Sequence, residues 1–153
     1  MFYKAIIQTP LGKLGISTTC QLLTQLDFLT DDKALIQPNE EVLCDIVNQL
    51  NQYFKHPSFQ FNISCQLQGT PFQKRVWQTL SKIPIQKTVS YGTLAKNLNT
   101  GARAIGNACR ANPLPILIPC HRVVAQKNLG GYKGKEISIK KWLLNHESYS
   151  IVF

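Results

Sequence analysis

The chain has 153 residues, 44% of them hydrophobic and 16% charged. That suffices for one domain, or one domain with a small N-terminal lobe, and is too rich in apolar residues for a disordered chain. No apolar run reaches bilayer length, and Met1-Phe2-Tyr3-Lys4 has neither the basic nor the apolar region of a secretory signal, so a cytoplasmic protein with no membrane attachment is expected. The net charge of +9 is unevenly placed: residues 1–70 hold four basic side chains against six acidic ones, and residues 71–153 hold thirteen against Glu136 and Glu147 alone. A basic half of this kind is the electrostatic footprint of a polyanion partner.

The first third reads as strands. Phe2 to Thr9 and Lys13 to Thr18 flank a turn at Thr9-Pro10-Leu11-Gly12, where proline and glycine suit an antiparallel reversal. Gln21 to Leu29 gives a third strand. An amphipathic helix is expected from about Asn39 to Phe54, with Asn39 as N-cap and Val42, Ile46, Val47, Leu50 and Phe54 on one face. These elements make a small α+β lobe, and with the extended connection from His56 they give a first domain over residues 1–68.

A second domain over residues 69–153 opens on Gly69-Thr70-Pro71. Thr70 can cap a helix, Pro71 suits its first position, and Gln73 completes a capping box, with Phe72, Val76, Trp77 and Leu80 as its buried face. Two short helices follow, the first capped by Ser90 and the second, Ala102 to Arg110, capped by Thr100. Ala104, Ile105, Ala108 and Cys109 share one face of the second helix, while Arg103, Asn107 and Arg110 share the other. That is how a DNA-binding helix-turn-helix presents its second helix, and an ordinary helical hairpin with a solvated polar face fits equally well. A last helix is expected from about Ser138 to His146, ending near Glu147. The expected fold class is α+β, with an antiparallel-sheet-plus-helix lobe followed by a mainly helical lobe carrying a winged-helix-like helix-turn-helix.

Five cysteines, an odd number without a Cys-x-x-Cys or a nearby histidine at zinc spacing, argue for a reducing compartment and against a disulfide framework, and no spacing among them argues for a metal site. One of them stands apart. After Pro115-Ile116-Leu117-Ile118-Pro119 the chain reaches Cys120-His121-Arg122, a thiol beside its own potential base. A free thiol with a pKa of about 8.5 is mostly protonated at neutral pH, and an adjacent imidazole or guanidinium is what lowers it. Prolines on both sides suggest a stiff, buried approach that fixes where Cys120 points. A carboxylate at Glu147 could hold His121 in one tautomer, completing a Cys-His-Glu relay, or could be a solvated charge at a helix end.

Val89-Ser90-Tyr91-Gly92, Ala102-Arg103-Ala104-Ile105-Gly106, Ala111-Asn112-Pro113, Ile118-Pro119-Cys120-His121-Arg122-Val123 and Lys141-Trp142-Leu143-Leu144 with Glu147 resemble, in order and spacing, the O6-alkylguanine-DNA alkyltransferase family. The resemblance covers roughly Gly69 to Glu147. It implies direct, stoichiometric transfer of a methyl or alkyl group from O6-alkylguanine in double-stranded DNA, and also from O4-methylthymine, to Cys120, with no cofactor. His121 would deprotonate Cys120 through a water, Glu147 would orient His121, Tyr91 would supply a proton or hydrogen bond to the leaving base, and Asn112 would brace the turn before the cysteine. Arg103 would fill the vacated base stack, on a helix whose Ala102, Asn107 and Arg110 meet DNA together with Tyr91. Pro115, Val123, Tyr132, Lys133 and Gly134 would line the base pocket. A monomer is expected in solution.

The chain departs from the family at Ile85-Gln86-Lys87, where a glycine is frequent, and at Lys133, where some members carry a small residue. It also lacks the metal-binding N-terminal domain of adaptive-response members, so no transcriptional role follows. Three other readings compete. A lesion sensor of the alkyltransferase-like class has another residue, typically tryptophan, at the cysteine position. A turnover cysteine hydrolase would show an oxyanion-hole signature. A plain DNA-binding module would make Cys120 structural.

Overall fold

Two tight reversals build the sheet of the first unit, Met1–Gln68, in a computed structural model that describes residues 2–126, 130 and 137–149. Strand β1 (Ala5–Thr9) turns into β2 (Gly12–Thr19), which turns into β3 (Leu22–Leu29), giving an antiparallel sheet of order β1-β2-β3. At the first reversal Gly12 takes φ +95°, and Thr9 Oγ1 accepts from Leu11 N while donating to the Gly12 carbonyl. The strand expected from Phe2 begins only at Ala5, with Phe2 94% exposed.

The third strand starts one residue later than expected because Gln21 belongs to the turn. Cys20 and Gln21 sit at φ 51° and 65°, the doubly left-handed pattern of a type I′ two-residue hairpin, which Asn-Gly would have announced and Cys-Gln does not. The far edge of β3 is covered by the connection after the helix: Leu23 N donates to Ser64 O and Gln66 N to Leu23 O.

Helix α1 (Glu41–Lys55) differs from expectation in cap and in face. Glu40, not Asn39, is the N-cap, and no side chain caps it. The buried stripe is Leu43, Ile46, Gln49, Leu50 and Tyr53, so Val42, Val47 and Phe54 are only half-buried. Gln49 explains the rotation. Its amide pairs with both backbone groups of Asn62, accepting from N at 2.8 Å and donating to O at 3.1 Å, so a polar residue faces inward without an unsatisfied group.

In the second unit, Gly69–Phe153, helix α2 (Pro71–Leu80) starts with the full reciprocal capping box of Thr70 and Gln73. Val76, Trp77 and Leu80 are buried, and Phe72 lies half-buried beneath Arg75. Strand β4 (Val89–Ser90) runs into α3 (Tyr91–Asn97), capped by Ser90 as expected. Helix α3 ends in a Schellman motif: Asn99 is left-handed at φ 57°, with Thr100 N bonded to Ala95 O and Asn99 N to Lys96 O. Thr100 is thereby committed to closing α3, and α4 (Ala102–Arg110) takes Gly101 as its N-cap, without a side-chain cap.

Trp77 Nε1 donates to Ala108 O at 2.8 Å and fixes α4 on α2. A 3-10 turn (Cys120–Arg122) leads into β5 (Val123–Val124), which pairs parallel with β4, Val89 opposite Val123. Helix α5 runs Ile137–Tyr149, so Glu147 lies within it and not beyond its end. In the segment Ile85-Gln86-Lys87, Gln86 sits at φ 73°, where glycine would carry no strain.

The doubly left-handed hairpin yields a stability prediction. Cys20→Asn with Gln21→Gly should raise the stability of the protein by about 1 kcal/mol, read as a higher urea midpoint with an unchanged slope.

Candidate active site

Asn112, fully buried just past the end of α4, organises the segment that carries the cysteine. Its Oδ1 accepts from Leu114 N at 2.9 Å, and its Nδ2 donates to Ile118 O at 2.8 Å and to Cys120 Sγ at 3.1 Å. One side chain thus closes both ends of the loop. The proline-flanked run is not a straight approach: Ile118 N returns to Leu114 O, and Ile116 is left-handed at φ 78°. Positive φ is costly for a β-branched residue. At Pro119 (φ −80°, ψ 65°) the chain makes an inverse γ-turn, with Cys120 N on Ile118 O at 2.7 Å. Cys120 is 2% exposed.

Because Cys120 and His121 lie on a 3-10 turn, His121 is directed into the protein, where it is fully buried. Its Nε2 is 2.7 Å from Glu147 Oε2. The same carboxylate takes Arg122 in two-pronged fashion, Nε to Oε1 at 2.9 Å and Nη2 to Oε2 at 3.0 Å, while Arg122 Nη1 donates to Ile83 O at 2.6 Å. Arg122 is therefore spent on Glu147, not aimed at the thiol.

Burial pushes the Glu147 carboxyl up, but the hydrogen bonds from His121 and Arg122 outweigh it and bring it down to about 2. Burial lowers His121, against the opposing pull of Glu147, and the Arg122 and Lys140 charges lower it further. An ionised carboxylate can only accept, so the neutral ring carries its proton on Nε2 and presents a basic Nδ1. That Nδ1 is buried and has no hydrogen-bond partner among the described residues.

A second polar group flanks the cysteine. The β4–β5 pairing sets Val89 opposite Val123 and Ser90 opposite Val124, and Tyr91 follows directly as the first residue of α3. The Tyr91 hydroxyl is pushed up to about 12 by burial and by the neighbouring Cys109 and Cys120, so it is a donor at neutral pH. Gly130, at φ +73°, packs on the Tyr91 ring so closely that a Cβ would stand 2.8 Å from Cε2.

Lys140, which the sequence reading passed over, is fully buried and donates to Val123 O at 2.6 Å and to the Tyr91 hydroxyl at 3.4 Å. A signal for it existed: Lys140, Leu143 and Glu147 lie at i, i+3 and i+7, so any helix that turns Glu147 inward turns Lys140 inward too. Cys109, also missed as a site neighbour, is buried and pushed up to about 12 by burial and by Cys120.

The outer face of α4 is as expected: Ala102, Arg103, Asn107 and Arg110 are exposed, with Arg110 Nη1 on Asn107 Oδ1 at 3.4 Å. Pro115 and Val123 are buried near the cysteine turn. Tyr132, Lys133 and Gly134, the other expected pocket residues, lie outside the described residues. Among the described residues no cluster of histidine, cysteine, aspartate or glutamate is placed to hold a metal ion, and no helix is long and apolar enough to cross a membrane.

Comparison with known proteins gives this arrangement its context. The profile of the 6-O-methylguanine DNA methyltransferase DNA binding domain matches residues 71–149, and that of the ribonuclease-like domain of the same proteins matches residues 2–67. The chain belongs to the 6-O-methylguanine DNA methyltransferase family. It is 36% identical to the constitutive methylated-DNA–protein-cysteine methyltransferase of Bacillus subtilis, over 98% of both chains. Among solved structures it resembles the Mycobacterium tuberculosis O6-methylguanine methyltransferase (TM-score 0.82, 34% identity, 94% of this chain and 91% of that one). The M. tuberculosis protein in complex with DNA is equally similar (TM-score 0.81, 36% identity, 94% and 91%).

The buried carboxylate makes the methyltransferase acid-sensitive. The folded Glu147 carboxyl titrates below its unfolded value of about 4.3, so its contribution is complete above that pH and is lost as pH falls toward 2. His121 acts in the same direction: its unfolded ring gains a proton near pH ~6.5 that the folded ring resists. Glu147→Gln should therefore cost about 3 kcal/mol at neutral pH and flatten the acid limb of stability, followed by the fluorescence of Trp77 and Trp142.

Proposed function

We propose that the protein repairs DNA by moving the alkyl group of O6-alkylguanine onto Cys120 in a single, irreversible turnover. The observation that carries this is the pairing of Cys120 Sγ with Asn112 Nδ2 at 3.1 Å beside a neutral His121 whose Glu147 contact leaves Nδ1 as the base. The thiol proton passes through a water to His121 Nδ1, and the imidazolium is stabilised by Glu147. The thiolate attacks the alkyl carbon, the S–C bond forms as the C–O6 bond breaks, and the electron pair of that bond leaves on guanine. Tyr91 gives the departing base its proton or hydrogen bond. The thioether has no hydrolytic route back, so each molecule acts once. O4-methylthymine offers the same alkyl–oxygen bond and is included in the reading.

A base in a duplex is out of reach of a thiol that is 2% exposed, so the nucleotide must be flipped, at a cost of a few kcal/mol that a poorly paired alkylguanine reduces. The exposed α4 face, with Ala102, Arg103, Asn107 and Arg110, suits the minor groove, where Arg103 replaces the extruded base in the stack. The basic half supplies phosphate contacts whose strength falls with salt. One acceptor per chain needs no second subunit, so the protein acts as a monomer. Its free thiols fit the reducing cytoplasm.

Intact-protein mass spectrometry after incubation with a duplex holding one O6-methylguanine should show a single added methyl group on Cys120 and no second one. Cys120→Ser should abolish transfer with DNA binding nearly intact. Lesion binding with unchanged mass would overturn the transfer reading in favour of a sensor. Arg103→Ala should slow repair of the duplex roughly tenfold and reaction with free O6-benzylguanine less than twofold. Equal losses on both substrates would remove Arg103 from flipping.

A further inference from the structure

Helix α2 carries a guanidinium that is held in place and left unneutralised. Arg75 is exposed, yet its Nη2 donates to the carbonyl of Leu98 at 3.1 Å, and its Cζ lies 5.7 Å from the ring centroid of Phe72, one turn earlier. An exposed arginine ordinarily samples many rotamers, and ordering it for a partner costs entropy. Here a carbonyl at the end of α3 and a ring on its own helix remove much of that freedom in advance.

The guanidinium has five N–H donors, and the Leu98 carbonyl takes one. No acid takes the others. The ion pairs among the described residues are those of His121 and Arg122 with Glu147. Glu147 is also the one carboxylate of the second unit within the described residues, and it is buried. Closing α3 does not require the charge either, since the Schellman pair at Asn99 and Thr100 already does so.

The tether fixes where this charge stands. Leu98 comes three residues before Gly101, the N-cap of α4, and five before Arg103. Arg75 is thus held at the entrance of the helix proposed to meet the groove, at the end that bears Arg103. Lys74 beside it on α2 and Lys96 in the last turn of α3 are exposed too, so the local field is positive and unrelieved. A planar fork pinned on one side and open on the other matches the paired oxygens of a phosphodiester. Phosphate contacts fix a protein's register on a duplex without reading its sequence.

We propose that Arg75 is a phosphate clamp: it grips the DNA backbone beside the groove met by α4, and so sets the register at which Arg103 reaches the damaged step. The inference rests on the DNA-repair reading and adds to it a contact outside α4.

The test is binding of a fluorescent duplex, with and without one O6-methylguanine, followed by anisotropy over a salt series. The parent is the full chain with Cys120→Ser, so that no transfer intervenes, and Arg75→Gln and Arg75→Lys are made in it. Arg75→Gln should weaken binding of both duplexes equally, roughly tenfold at low salt, and should reduce the slope of log K against log salt by about 0.9. Arg75→Lys keeps the charge but not the fork, so it should keep the slope and weaken binding about threefold. Thermal unfolding of each variant is measured alongside.

An unchanged slope in Arg75→Gln overturns the proposal. So does a loss confined to the duplex with the lesion, which would make Arg75 a strut for the α3–α4 turn. Should Arg75→Gln fail to fold, Arg75→Lys decides: weaker binding at the parent's slope supports the clamp, and binding like the parent's overturns it. Transfer is read separately on the protein with Cys120 in place. If the parent binds the duplex but the Cys120 protein gains no methyl group, the transfer reading falls and the clamp is judged on the slope alone. A parent that binds neither duplex overturns both.

Discussion

The second unit turns on one buried carboxylate. Glu147 accepts from His121 and doubly from Arg122, and Arg122 passes on to the carbonyl of Ile83 just past α2. Three charge-assisted hydrogen bonds offset the desolvation of the anion, and in doing so they tie α5, the 3-10 turn and the end of α2 to a single point. The same carboxylate sets the tautomer of His121. Fold and chemistry therefore depend on one ionisation, and the cation that secures it is the arginine following the histidine in sequence.

Around that point the site has two sides. His121 is paired with Glu147 on one, and Tyr91 with Lys140 on the other. Both are hung from α5. Seven residues of helix rise roughly 10 Å, so the ammonium of Lys140 and the carboxylate of Glu147 are held on one face at a spacing the backbone dictates. The cysteine turn is held independently by Asn112, and the left-handed Ile116 is the conformational cost of folding the loop back on itself. A rigid mount on one side and a rigid helix on the other keep the reacting groups in register without help from packing alone.

Much of this was legible because it is local. The Thr70–Gln73 capping box, the Ser90 cap, the reversal at Thr9 to Gly12 and the polar outer face of α4 each rest on residues a few positions apart. The motif around Cys120 singled out the cysteine proposed as the acceptor. What escaped depends on where distant segments settle. Thr100 has the right chemistry for a helix start but closes the helix before it, and the α1 face rotates because Asn62, far along the chain, satisfies Gln49. The Cys20-Gln21 turn is left-handed against the preference of its residues, imposed by the strands it joins. Lys140 hid among ordinary helical lysines, and only the knowledge that Glu147 faces inward would have separated it from Lys141.

The sealing of Cys120 has a consequence for the life of each molecule. A protein that reacts once is a stored dose, and its usefulness depends on the thiol staying intact through the wait for a lesion. Closed over by Asn112 and the returning loop at 2% exposure, the sulfur is shielded from dissolved oxidants and stray electrophiles, which meet Cys20, Cys44 and Cys65 at the surface first. On the proposed reading, the seal that requires a damaged base to come into the protein is the same one that preserves the unused supply.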